Sequence, residues 1–303
     1  MNVLCFGSLN IDYTYRVDHF TQKGETLSSE SMQVFCGGKG LNQSVALAQA
    51  GAGTYHAGMI GEDGRFLLEI LKQAGVNTDL VEIDPEVRTG HAIIQNDRSG
   101  DNCILLYGGA NQMITRDYID QTLTHFTAGD YLLLQNEISE LSYLIEQGYE
   151  KGLKIILNPS PMNESVLALP LDKVSIFILN EIEAKQLLRD RMETAVNGSE
   201  LAAVIREKYP DAAIILTLGG DGSVYTDGEQ TINQDAYQVE AVDTTAAGDT
   251  FTGFLVAGLI RGSDKREAMD RAAGAAAIAV TRAGAAPSVP TREEVEIFVA
   301  AGR

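Results

Sequence analysis

The chain has 303 residues, 45% hydrophobic and 21% charged, a balance that supports a large buried core and excludes a disordered or fibrous chain. Its 23 Lys and Arg against 42 Asp and Glu leave a formal charge of -19, which would repel nucleic acid and anionic membrane surfaces, so neither is expected as a partner. Cys5, Cys36 and Cys103 are far apart and form no C-x-x-C pair, so buried free thiols are expected instead of disulfides or a zinc site.

Taken in chain order, "MNVLCFGSLNID" lacks a cationic segment and a long apolar run, and "AAGAAAIAV" near residue 280 is far short of a membrane span. A cytoplasmic chain without a leader or anchor is expected. "NVLCFG" reads as a buried strand, "GLNQSVALAQAGA" as a helix, "TYHAGMIG" as a strand and "DGRFLLEILKQAG" as a helix with a Gly stop. Further on, "DYLLLQ", "LKIILNP", "SIFILN" and "AAIILTLGG" are strands too apolar for a one-sided sheet. Between them, "ELSYLIEQGYEKG", "NEIEAKQLLRD" and "GSELAAVIREKYP" have the helical period. This alternation predicts an α/β fold, a mostly parallel sheet covered on both faces.

Two segments break the rhythm. "YTYRVDHF" with "SSESMQVF", and "TGHAIIQNDRSGDNCILLY" with its "DRSGD" turn, alternate apolar and polar residues. They predict a small antiparallel sheet, built from insertions at about 13–36 and 88–108, over one edge of a single domain spanning 1–303.

An open parallel sheet binds ligands at the carboxyl ends of its strands. There the chain carries "GSLNID", "GGKGLN", "QNE", "LNEIE", "TLGGDG" and "DTTAAGD". Any one of these is explained by turns and helix caps; their joint occurrence points to a polar site. Gly38-Lys39 is followed by Gly40, so no P-loop is present, and "GSLNID" lacks the glycines of a dinucleotide fingerprint. A dehydrogenase is therefore not expected. "TTAAGDTF" supplies another anion site at a helix start, because Ala246, Ala247 and Gly248 let a phosphoryl group approach their N–H groups. Asp249, in the first turn beside them, would accept the proton of an attacking hydroxyl.

Together "GSLNID", "GGKGLNQSVALAQAGA", "GGAN", "LNEIEA", "TLGGDG", "DTTAAGDTFTGFL" and "AIAVTRAGAAPSVP" resemble the ribokinase (phosphofructokinase-B) family of carbohydrate kinases, from residue 3 to about 298. The resemblance implies a three-layer ribokinase-like fold with an antiparallel β lid. It also implies transfer of the ATP γ-phosphoryl group to the 5-hydroxyl of D-ribose. Deoxyribose, a ketohexose or a nucleoside are alternative acceptors, and a non-catalytic sugar-binding regulator is a further alternative.

By position, the resemblance implies sugar contacts at Asn10, Asp12, Gly38, Asn42, Glu137 and Asp249. Asn180 and Glu183 would order Mg²⁺ through water, and Thr217, Leu218, Gly219, Gly220, Asp221, Gly222 and Gly248 would bind ATP. A K⁺ cage would comprise Asp243, Thr245 and Ser288 with carbonyls of Ala279, Arg282 and Gly284. Lys39 reaches a phosphate or is solvated. Where the family places Asn or His beside the adenine, this chain has Ala273 or Gly274. The lid's apolar outer face, with Tyr13, Tyr15, Val17, Ile93 or Ile104, would pair with a second copy in a homodimer.

Overall fold

The computed structural model describes residues 1–189 and 197–302. The chain opens with β1 (Val3–Phe6), β2 (Asn10–Arg16), β3 (Ser31–Gly37), α1 (Lys39–Gln49), β4 (Thr54–Ile60) and α2 (Arg65–Gln73). It continues through β5 (Asn77–Ile83), β6 (Gly90–Asn96), β7 (Asn102–Tyr107), α3 (Arg116–Leu123), β8 (Tyr131–Gln135), α4 (Leu141–Glu150) and β9 (Lys154–Asn158). Then come β10 (Ile176–Asn180), α5 (Glu181–Leu188), α6 (Gly198–Lys208), β11 (Ala213–Thr217), β12 (Ser223–Thr226) and β13 (Thr231–Gln234). Helices α7 (Ala247–Ile260), α8 (Lys265–Val280) and α9 (Arg292–Ala301) complete it. The last residue of the expected "NEIEAKQLLRD" helix, Asp190, lies outside the described residues.

The main sheet has the order β13-β12-β11-β10-β9-β8-β1-β4-β5. Every pairing from β11 across to β5 is parallel, and β12 and β13 add an antiparallel hairpin at the edge. Central strands are buried on both faces, as their unbroken apolar runs require. In β1, Val3 and Cys5 join one core cluster with α1, α2, α7, α8 and α9, while Leu4 and Phe6 join another with α3, α4, α5 and α6. Sequence reading assigns no element to β5, β12, β13, α3, α8 or α9. The strands among these lie toward the sheet's edges, and β5 and β13 are only partly buried, which weakens the hydrophobic period.

The small sheet has the order β3-β2-β6-β7. Its two hairpin pairs, β2 with β3 and β6 with β7, are antiparallel, and the two insertions join through parallel pairing of β2 with β6. The first of these strands begins at Asn10, so this sheet itself carries Asn10 and Asp12. Register puts Tyr13, Tyr15 and Ile93 on one face, with Leu105 and Val34. Ile104 lies on the opposite face, with Asp12, and Val17 is buried, so neither belongs to the outer face expected for them. The three cysteines are free, but only Cys5 and Cys36 are buried; Cys103 is exposed because β7 is the unpaired edge of this sheet.

Candidate active site

Two helix starts meet at the carboxyl end of the main sheet. Helix α1 begins after Gly38, whose φ of 93 is the left-handed conformation that glycine adopts without strain. Gly38 has no side chain to cap the helix, and Glu137, beyond the end of β8, does so from a distance. Its Oε2 accepts from the Lys39 N–H at 2.9 Å and also from Ser8 Oγ. Helix α7 begins after Ala246, which holds a left-handed φ of 58. For a residue with a Cβ this conformation is costly, and it opens the turn toward the site.

The helices approach closely because Gly253 faces Ala46: a Cβ at residue 253 would lie 2.3 Å from the Ala46 Cβ. One turn nearer the site, Asn42 and Asp249 therefore come together. Asp249 is 6% exposed; its Oδ2 accepts from Asn42 Nδ2 at 3.1 Å and its Oδ1 from Gln43 Nε2 at 2.9 Å. The buried Asn42 Oδ1 has no protein partner, so it is an acceptor available to a ligand hydroxyl.

The remaining sugar-side candidates converge on the same place. Asn10 Oδ1 accepts from Asn111 Nδ2 at 2.7 Å, and Asn111 is itself fixed by the backbone of Leu9. Burial, with repulsion from Glu137, pushes the Asp12 carboxyl up to about 6. Lys39 faces Asp249, Glu137 and Glu183. Attraction, chiefly from Asp249, holds its ammonium above the ordinary range against the cost of burial. Lys39 is thus part of this acidic centre and not a freely solvated side chain.

At the start of α7, Gly248 has no heavy atom within 4 Å of where a Cβ would stand. The Ala247 N–H is already spent in a 3.3 Å hydrogen bond to the Thr244 carbonyl, leaving Gly248 and Asp249 as the first-turn donors without an intrahelical acceptor. Beside this turn opens a cleft of about 450 Å³. Its lining includes Thr217, Gly219, Gly220 and Gly222 of the glycine turn, Gly248 and Phe251 of α7, and the apolar Ala273, Ala276, Ala277 and Val280 of α8. Leu218 and Asp221 do not line it; the Leu218 side chain packs toward Gly198. Ala273 is the cleft-side residue, whereas Gly274 faces Val299 and Phe298. Ser223, unremarked in the sequence, lines the cleft with a buried hydroxyl that has no partner. A larger open groove of about 660 Å³ at Asp235, Asp264 and Glu267 holds none of the predicted residues, so size does not locate this site.

Asn180 and Glu183 form a reciprocal capping box on α5, each side chain bonding the other's N–H at 2.9 Å. Asp243 accepts from the N–H groups of Thr245 and Gly284, both at 2.9 Å. Burial works against this carboxylate, but the hydrogen bonds outweigh it and hold its pKa below the usual range. The N–H groups of Val242 and Asp243 bind the Val280 carbonyl, which ties the turn before α7 to the loop after α8. Ser288 Oγ donates to the Ala285 carbonyl at 2.7 Å, the Ala279 carbonyl accepts from Arg282 N, and the Arg282 side chain is held by Glu294. The cage candidates thus lie in the turn before α7, in the last turn of α8 and in the segment after it, held together by these contacts.

The model of the pfkB family of carbohydrate kinases matches residues 1–292. This chain belongs to that family. It is 34% identical over 301 residues to the ribokinase of Haemophilus influenzae, covering 97% of this chain and 96% of that one. Among solved structures, the ribokinase of Cryptococcus neoformans var. grubii in complex with ADP superposes with a TM-score of 0.86 at 33% identity. That match covers 98% of this chain and 99% of the other. Arabidopsis thaliana ribokinase complexed with ribose and ATP gives 0.85 at 30% identity, covering 98% of both chains. Membership in the pfkB family agrees with what the site offers: a cluster of polar side chains around one buried carboxylate, with an apolar-walled cleft beside the helix start that carries it.

Residues that the sequence left unassigned complete the site. Gln43, Gln135, Asn158, Asn111 and Ser8 are polar side chains spent on other side chains. The local signal for Gln43 was its place beside Asn42 in "GGKGLNQ"; the others lie in turns or at strand ends whose partners are distant in sequence.

Proposed function

We propose that this protein is a sugar kinase that transfers the γ-phosphoryl group of ATP to the 5-hydroxyl of D-ribose, giving ribose 5-phosphate. The observation that carries the reading is Asp249, a buried carboxylate in the first turn of α7 that is held by Asn42 and Gln43 and follows directly on Gly248, which lines the apolar-walled cleft. Asn10, Asp12, Asn42 and Glu137 hold the sugar hydroxyls, which need acceptors and amides in a convergent pocket. Asp249 accepts the proton of the attacking hydroxyl. The Gly248 N–H, with the positive end of α7, stabilises charge on the transferring group, and Lys39 adds its ammonium. Thr217, Ser223 and the glycine turn hold the nucleotide, with the base against Ala273, Ala276 and Ala277.

Mg²⁺, when bound, would neutralise the nucleotide phosphates and keep most of its water shell. The donor chemistry of the Glu183 carboxylate and the exposed Asn180 amide fits such a hydrated ion. The oxygen-rich loops around Asp243, Ala279, Gly284 and Ser288 fit K⁺, where Asp243 and Thr245 order the turn that carries Ala246 to Gly248. A second copy pairs with the face carrying Tyr13, Tyr15 and Ile93. No helix among the described residues is long and apolar enough to cross a membrane, and we assign the protein to the cytoplasm from its acidic composition and free thiols.

The test is ADP release measured across ribose, deoxyribose, fructose and ribonucleosides, with Asp249→Asn as the control. Ribose is expected to give the highest kcat/KM, and Asn at 249 to lower kcat by about 10²–10⁴-fold. Full turnover by the variant, or a better acceptor than ribose, would overturn the reading.

A further inference from the structure

Behind the proposed proton acceptor lies a support made entirely of amides. Gln43, on α1, is fully buried. Its Nε2 donates to Asp249 Oδ1 at 2.9 Å and to Asn158 Oδ1 at 3.0 Å, while its Oε1 accepts from Gln135 Nε2 at 2.6 Å. Asn158 is oriented in turn, because its Nδ2 donates to the Ile178 carbonyl at 2.9 Å. Gln43 therefore has one way round. Inverting it would set its carbonyl oxygen against two acceptor oxygens and its amide nitrogen against the Gln135 donor.

We infer that Gln43 is a positioning residue for Asp249: it holds Oδ1 and, with Asn42 on Oδ2, stops rotation of the carboxylate, so that Oδ2 presents its remaining lone pair to the acceptor hydroxyl. The inference rests on the reading of Asp249 as the proton acceptor. A terminal carboxylate torsion is broad and roughly two-fold, so with the single Asn42 donor at 3.1 Å and nothing on Oδ1 the carboxylate could swing over a wider range of angles. The ends of β8 and β9 supply Gln135 and Asn158, so the rigid sheet sets the carboxylate through one side chain. Being fully buried, Gln43 acts on the reaction only through Asp249. Its loss should lower kcat without weakening either substrate.

The experiment compares Gln43→Met, which keeps length but has no donor, with Gln135→Met, which removes the donor to Gln43 Oε1 and so loosens Gln43 while its bonds to Asp249 and Asn158 remain. Steady-state kcat and KM for ribose and ATP are measured, with ribose binding by calorimetry to establish that each variant is folded. Gln43→Met is expected to lose on the order of 10–100-fold in kcat, with both KM values within about threefold of the parent. Gln135→Met should show the same split with a smaller loss. In an Asp249→Asn background, Gln43→Met should add little, since residues acting as a unit are non-additive. An unchanged kcat, a loss expressed in KM, or a full further loss in the Asp249→Asn background would each overturn the inference. If Gln43→Met does not fold, the kcat of Gln135→Met decides in the same two directions. Wild-type turnover by Asp249→Asn alone would overturn the sugar-kinase mechanism first, which separates the two failures.

Discussion

At the scale of single residues, Asp12 carries a conflict between stability and binding. Its carboxyl is pushed up to about 6, first by burial and then by Glu137. In the unfolded chain it titrates near 3.9. A folded-state value above the unfolded one means that the stabilising contribution is complete below about 3.9 and is lost as pH rises through about 6. Asp12→Asn should therefore stabilise the free protein at pH 7 by on the order of 1–2 kcal/mol, read as a rise in its thermal midpoint, and leave it unchanged near pH 4. The same substitution should weaken ribose binding at pH 7, because an ionised acceptor is lost, and parental binding should weaken as pH falls below about 6. A calorimetric titration at pH 5 and pH 7.5 checks both; equal ribose affinity of parent and variant at pH 7.5 would count against a sugar-binding Asp12. Asp12 and Asp249 were legible in the sequence, since an acid beside small or turn-forming residues at a strand end stands out locally. Gln43, Gln135 and Asn158 were not: Gln43 stood beside Asn42 in "GGKGLNQ", but an amide side chain within an apolar helix or at the end of an apolar strand gives no local sign of what it bonds.

At the scale of elements, the site depends on how closely α1 and α7 approach. Gly253 and Ala46 sit one turn below Asp249 and Asn42, and a Cβ on residue 253 would stand 2.3 Å from that of Ala46. Gly253→Val should force the helices apart. Overpacking of this kind costs about 1–3 kcal/mol, and the separated Asn42 and Asp249 should lower kcat as well; a thermal melt with parallel kinetics reads both. An unchanged melting temperature would show that the helices yield without cost. The turn before α7 is held by Asp243 to Thr245 and Gly284, and under the proposed K⁺ site its order is what the cation would secure. Activity should fall when K⁺ is replaced by a large organic cation, and equal rates in the two buffers would remove K⁺ from the scheme. The strand-helix alternation of the central sheet was legible because those strands are buried on both faces. The edge strands β5 and β13 were not, since partial burial dilutes the pattern on which such reading depends.

At the scale of the whole molecule, the four-stranded sheet presents apolar side chains that the chain itself does not cover. Leu105 is 67% exposed and shares a face with Tyr13 and Ile93, so it is the residue on which pairing with a second copy should depend. Leu105→Glu should convert a dimer to a monomer in light scattering behind size-exclusion chromatography, with the melting temperature little changed. A parent that is itself monomeric at micromolar concentration would refute this face as a dimer interface. Sequence reading had grouped Ile104 and Val17 with it. The register of β6 with β7 turned Ile104 to the other face, and Val17 proved buried, since side-chain direction in a strand follows pairing and not composition. The amino-acid sequence by itself determined the layered α/β class, the strand-end motifs and the carboxylate at the start of α7. These follow from hydrophobic period and from local rules for turns and helix ends, which act over a few residues. Only the tertiary structure decided that Glu137 caps α1, that Ala273 and not Gly274 faces the cleft, and that a chain of amides holds Asp249. These contacts join residues 98 positions apart for Lys39 and Glu137, and 206 apart for Gln43 and Asp249. No local preference encodes them, because they exist only once the sheet brings its strand ends to one edge.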